Sequence, residues 1–238
     1  MTISLPLSVT RNVRRAPRLG HTRAGEGDDA QRKNVIGQGR FNNRCFACAF
    51  QFGSWDGFEL HHLDGDHGNS ASENLVPICF MCHWPLHLDL TLRELSPNPG
   101  RIIYLPELQQ AELNQLLYAI GAHGYTNSQH AEPKAGETDQ NDRSAWSVYS
   151  KLEARAEAVE KANGKTVRPG LSQVHAMVRL LQDVGDDRYA SRDEWLAGCR
   201  YLPPLSEVIK RATDWSTKGA AFSNLPVASW KSIAGVAA

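Results

Sequence analysis

The sequence predicts an α+β protein, with a ββα core ahead of an all-helical C-terminal half. Three observations carry that prediction. Residues 45–87 read CFACAFQFGSWDGFELHHLDGDHGNSASENLVPICFMCHWPLH, in which two Cys-x-x-Cys pairs stand far enough apart to enclose a β-hairpin. A short apolar run at 101–105 is followed by Leu113, Leu116, Leu117 and Ile120, spaced as one helical stripe. Beyond a polar stretch at 123–143, the periodic segments repeat at helical spacing. The chain therefore divides into a basic N-terminal segment (1–40), a metal-bound unit with its following strand and helix (41–125), a helical region (144–215) and a tail (216–238).

The metal is inferred from Cys45, Cys48, Cys79 and Cys82. Four thiolates in two knuckles form the tetrahedral soft-donor set that zinc prefers, and the two-residue spacer lets both sulfurs of a pair reach one ion. Such a set leaves no open position for water, so the zinc expected here is structural. Unpaired core thiols or disulfides are the alternative. Only Cys199 lies outside the knuckles, a usage that suits a reducing cytosol.

Composition narrows the function classes. The 238 residues have a net charge of +0, so no whole-molecule field draws nucleic acid, and any such patch is local. With 41% hydrophobic and 22% charged residues the chain reads as globular, and no run reaches the roughly 20 apolar residues of a membrane span. The apolar residues between Ile3 and Val9, broken by Pro6, are too few for a secretory signal.

Taken in order, residues 4–9 read as a short strand with Pro6 near its start or on an edge. Arg11, Arg14, Arg15, Arg18, Arg23, Arg32, Lys33 and Arg40 against Glu26, Asp28 and Asp29 give the next segment a local +5. That segment is either an arm for nucleic acid or an acidic partner, or a solvated stretch. Phe58 to Leu63 reads as a strand, Asp64-Gly65-Asp66 as a turn, and 82–88 as a helix with Pro85 in its first turn. On a helix His83 and His87 share one face, the geometry a metal needs. His67 reads as a surface residue.

Pro106 is expected to open a helix carrying the leucine stripe. Ser144 caps the next helix, which runs to Asn163 and closes at Gly164, with Val148, Leu152 and Val159 inward. Ser172 caps a helix with Val174, Met177, Val178 and Leu181 inward, and Ser191-x-x-Glu194 reads as a capping box. Pro203 and Pro204 start the last helix, with Leu205, Val208, Ile209 and Ala212 inward. Phe222, Leu225 and Trp230 in the tail either pack on that helix or meet a partner.

His61-His62, Asn74, His83 and His87 resemble the HNH nuclease motif in order, type and spacing. That resemblance implies a ββα unit around one divalent ion, Mg or Mn. It places His61, His83 and His87 on the metal, makes His62 the general base that activates water, and has Asn74 orient the His62 imidazole. A neutral imidazole accepts the water proton near neutral pH, and the ion polarises the phosphate. DNA is the substrate on this reading.

A second resemblance covers residues from about 4 to about 215. The Leu-Pro-Leu-Ser-Val-Thr start, LDGDHGNSASENLVPICFMC, RIIYLPELQQAELNQLLYAI, YSKLEARAEAV and RYLPPLSEVIKRATDW are similar to the IcmJ (DotN) family of type IVB secretion and conjugation systems. The resemblance implies a cytosolic zinc adaptor, not membrane-spanning and peripheral to the inner membrane through its partner. That partner is the C-terminal segment of the coupling ATPase, and the task is substrate recruitment for export. The better-known secretion members lack the histidine pair, which this chain keeps.

Overall fold

The computed structural model describes residues 5–10, 34–35, 39–50, 58–66, 69–127, 140–162, 165–166 and 169–216. The readings of the basic arm before Arg40, of His67 and of Phe222, Leu225 and Trp230 fall outside them.

The architecture is mixed α+β, with three two-stranded sheets among helices in the described residues. Strand β1 (Glu59–His62) pairs antiparallel with β2 (Leu75–Ile78), placing His61 opposite Val76 and His62 opposite Leu75. Pro77 brings no N–H to β2, yet its carbonyl is used, accepting from the Phe46 N–H at 2.9 Å. The first knuckle is thereby stitched to the hairpin.

Helix α1 (Phe80–His83) leads into a 3₁₀ turn at Trp84–His87 and then α2 (Leu88–Glu94). The single helix expected over 82–88 is therefore split. Pro85 has no N–H to continue the α ladder. The Thr91 hydroxyl donates to the carbonyls of Trp84 (3.0 Å) and His87 (2.9 Å) within the tightened turn. Residues 5–10 carry no regular secondary structure, so the short strand expected over 4–9 does not form. They lie along this turn, Ser8 N–H donating to Pro85 O at 2.8 Å and Ser8 O accepting from Leu88 N–H at 2.9 Å.

Strand β3 (Arg101–Tyr104) is where the all-helical expectation for the C-terminal half fails. It pairs antiparallel with β6 (Cys199–Leu202), about a hundred residues away, and β6 lies inside that half. Two glycines permit the approach. Gly100 has φ 81°, and a Cβ on it would come 2.3 Å from Leu202 O; Gly198 has φ 83°, and its Cβ would come 2.6 Å from the Tyr104 ring. Each precedes one strand and abuts the end of the other.

Helix α3 (Gln110–Asn127) begins four residues later than Pro106 would start it. Glu112 accepts the Gln109 N–H at 2.7 Å, capping the first turn there. Leu113, Leu116, Leu117 and Ile120 are buried as their spacing predicts. The helix expected from Ser144 to Asn163 is instead α4 (Gln140–Ala154) and α5 (Ala156–Glu160), followed by a small hairpin, β4 (Lys161–Ala162) with β5 (Lys165–Thr166). It breaks at Arg155 because that residue's carbonyl accepts from Tyr104 N–H in β3 (3.3 Å). Asn163-Gly164, read as a helix end, falls outside the described residues.

Helices α6 (Val174–Asp183), α7 (Asp186–Ala190) and α8 (Arg192–Trp195) precede β6, and α9 (Leu205–Ser216) follows it. Neither expected serine cap forms. Ser172 donates its hydroxyl to Glu160 at 2.5 Å, and Ser191 turns its hydroxyl back to the Asp187 and Arg188 carbonyls. Val174, Met177, Val178, Leu181, Leu205 and Val208 join one core with Leu5, Leu7, Leu88 and Leu117. Among the described residues, no helix is long and apolar enough to cross a membrane.

Candidate metal centres

The first knuckle is a tight turn, with Cys45 N–H donating to Phe50 O (2.8 Å) and Ala49 N–H to Cys45 O (2.9 Å). The second is the start of α1, where the Cys79 carbonyl accepts from Cys82 and His83 at 3.0 Å. Hydrogen bonding of Phe46 to Pro77 brings the two together. The four sulfurs lie within 4.8 Å of one another, and each cysteine is at most 4% exposed.

The donor set fits zinc. Tetrahedral Zn–S bonds of about 2.3 Å place sulfurs roughly 3.8 Å apart, whereas a disulfide needs about 2.05 Å. Cys48 Sγ and Cys79 Sγ are 3.7 Å apart, and all four thiols are unbridged. Their protonation is unequal. Burial works to raise the Cys45 thiol, but hydrogen bonds from Cys48, Cys79 and Cys82 outweigh it and hold Cys45 well below the usual range. Burial, reinforced by Cys45, keeps Cys79 and Cys82 well above it. Taking up a divalent ion requires all four sulfurs as thiolates, so binding releases whatever protons the cluster holds.

A second cluster lies beside the first along the chain. Strand alternation sends His61 and Glu59 to one face of β1 and His62 to the other. His61, His83 and His87 offer ligand atoms within 4.8 Å of one another. Their ring centroids are 5.7 Å (His61–His83), 6.3 Å (His61–His87) and 4.6 Å (His83–His87) apart. The last pair spans the 3₁₀ turn. Glu59 bonds His83 Nδ1, which leaves Nε2 as the nitrogen for a ligand. Burial, together with the Glu59 carboxylate, raises the nearby Glu94, and the Arg211 guanidinium stacks 4.2 Å over Phe80 on α1.

Asn74 is committed to the turn after the histidine pair. Its amide donates to Asp64 Oδ1 and to Asn69 O, both at 2.9 Å, and accepts from Asp64 N–H at 3.0 Å. What it fixes is the backbone directly following His62. Asp64 is in turn held below the usual carboxylate range, first by the Asn69 amide.

No protein-family model matches the chain. Over 172 residues it is 27% identical to the Type 4 apparatus protein DotN of Legionella pneumophila subsp. pneumophila, covering 72% of each protein. This similarity supports the DotN (IcmJ) family for the chain. Every cysteine and histidine of the two clusters is legible in the sequence motifs, but four residues around them are not. Glu59 was detectable as the residue two before His61 on one strand face. Gln110, Asn114 and Tyr118 were detectable as polar groups four apart on a helix, beside the buried Leu113 and Leu117. Tyr118 Oη donates to Cys79 Sγ at 2.7 Å and Asn114 Nδ2 to Cys82 Sγ at 3.2 Å.

Proposed function

We propose that the protein is a zinc-held cytosolic adaptor of a type IVB secretion or conjugation apparatus. It associates with the C-terminal segment of the coupling ATPase and helps recruit substrates. The alignment to DotN over 72% of both chains carries this reading. It is supported by a cysteine cluster whose donor set fits structural zinc, in a fold where the cluster and the C-terminal elements share one core. The test is co-purification of the chain with the C-terminal segment of a type IVB coupling ATPase from the same organism. A stoichiometric complex is expected, and no complex across a range of salt would overturn the adaptor reading.

A second reading has its own observation. His61, His83 and His87 converge, which favours an HNH-type endonuclease using Mg or Mn, with His62 following His61 on the other face of β1. There His62 takes the proton from the attacking water and Asn74 steadies the turn behind it. Plasmid nicking with added Mg²⁺ or Mn²⁺, alongside His62→Ala, tests it. Metal-dependent nicking lost in His62→Ala is the expected result; nicking that persists in the variant, or none by the wild type, rejects this reading.

A further inference from the structure

We propose that Asn114 and Tyr118 are sulfur-binding residues of the zinc centre, and that Gln110 is the positioning residue that aims Asn114. The inference rests on the reading of Cys45, Cys48, Cys79 and Cys82 as a zinc site. Zinc with four thiolates carries a formal charge of −2, and a buried charge must be met by hydrogen-bond donors. Water does not reach here, since Asn114 is 0% and Tyr118 1% exposed. The donors come from the protein. Tyr118 Oη reaches Cys79 Sγ at 2.7 Å, Asn114 Nδ2 reaches Cys82 Sγ at 3.2 Å, and the Cys79 N–H reaches Cys45 Sγ at 3.4 Å.

The direction of the Asn114 amide follows from a backbone far away in sequence. Gln110 Oε1 accepts from Tyr201 N–H at 2.8 Å and Gln110 Nε2 donates to Tyr201 O at 2.9 Å, so β6 fixes which way this amide points. Gln110 Nε2 then donates to Asn114 Oδ1 at 3.0 Å. That turns Asn114 Nδ2 toward Cys82 Sγ and the Met81 carbonyl, 3.0 Å away. Residues 110, 114 and 118 sit one turn apart on a single face of α3, and the Phe50 ring, stacked 4.4 Å from Tyr118, steadies the phenol. A donor on a thiolate withdraws charge from sulfur, making it harder to protonate and slower to give up its metal. Retention of zinc is thereby tied to the β3–β6 end of the molecule.

The experiment compares full-length wild type, Tyr118→Phe, Asn114→Leu and Gln110→Leu. Zinc transfer to a chromogenic chelator is timed, and the sulfur-to-cobalt charge-transfer band is recorded after Co²⁺ substitution. Tyr118→Phe and Asn114→Leu are expected to release zinc about 10- to 100-fold faster and to move the band to lower energy. Gln110→Leu is expected to move both in the same direction by less. A loss of packing alone leaves the band in place. If wild type holds both metals while Tyr118→Phe and Asn114→Leu match it in rate and band, the proposal is overturned and the zinc reading stands. If wild type takes up neither metal, both fall. Should Asn114→Leu not fold, Tyr118→Phe, which removes a single oxygen, decides alone.

Discussion

Ala49 follows the second cysteine of the first knuckle and has φ 59°, in the left-handed region. A non-glycine residue there costs about 1–2 kcal/mol, and glycine's greater entropy in the unfolded chain returns part of that, about 0.5–1 kcal/mol. Ala49→Gly is therefore expected to stabilise the protein by about 0.5–1 kcal/mol. Urea denaturation checks this, and a midpoint shifted downward would show that Ala49 packing outweighs the strain. The same scale explains what Asn74 does. The HNH resemblance implies that Asn74 orients His62; the three bonds its side chain makes go to Asp64 and Asn69 and fix the turn that follows His62.

Among the elements, the β3–β6 pair depends most on backbone space. Gly100→Ala combines a positive φ with a Cβ 2.3 Å from Leu202 O, a backbone atom that cannot swing aside. A loss of at least about 2 kcal/mol is expected. Gly185, with φ −63° and open space around it, is the control, where alanine is expected to cost at most about 0.5 kcal/mol. Equal effects at both positions would contradict the close approach. The outer end of β3 is also tied by charge. Arg155 donates to both oxygens of Glu107, at 2.6 and 2.7 Å, and holds its carboxyl down to about 2. A carboxylate pKa below its unfolded value adds stability that is present above about pH 4.5 and lost as pH falls toward 2. Glu107→Gln is expected to flatten stability across that window. The difference is small because the pair is exposed, and it disappears in high salt. A wild-type and variant pair with identical acid titrations would rule it out.

For the whole molecule, the cysteine cluster is the joint between the hairpin side and the rest, since α3 reaches both the knuckles and β6. Structural zinc supplies about 10–16 kcal/mol of apparent binding free energy in small domains, comparable with a whole protein's stability of about 5–15 kcal/mol. Cys79→Ser is expected to abolish stoichiometric zinc and to cost about 5 kcal/mol or more, lowering Tm by roughly 10–20 °C. Elemental analysis with a thermal melt checks it. Zinc-free wild type, or an unchanged melt in the variant, would remove zinc from the account of this fold.

Local structure was legible in the residues alone. The Cys-x-x-Cys spacing makes each knuckle whatever surrounds it, and the stripe Leu113, Leu116, Leu117 and Ile120 buries itself by helical geometry alone. The histidine spacing likewise put His83 and His87 on one side of a single turn. Tertiary structure decided everything that joins distant residues. Tyr201 reads in sequence as the approach to a proline-capped helix, and only packing against Arg101–Tyr104 makes its neighbourhood a strand. Gln110 and Asn114 look like ordinary polar helix residues until β6 on one side and Cys82 on the other supply their partners. A strand pairing or a buried hydrogen bond is settled by which groups arrive at the same place. That depends on loop closure across many tens of residues, and no local spacing encodes it.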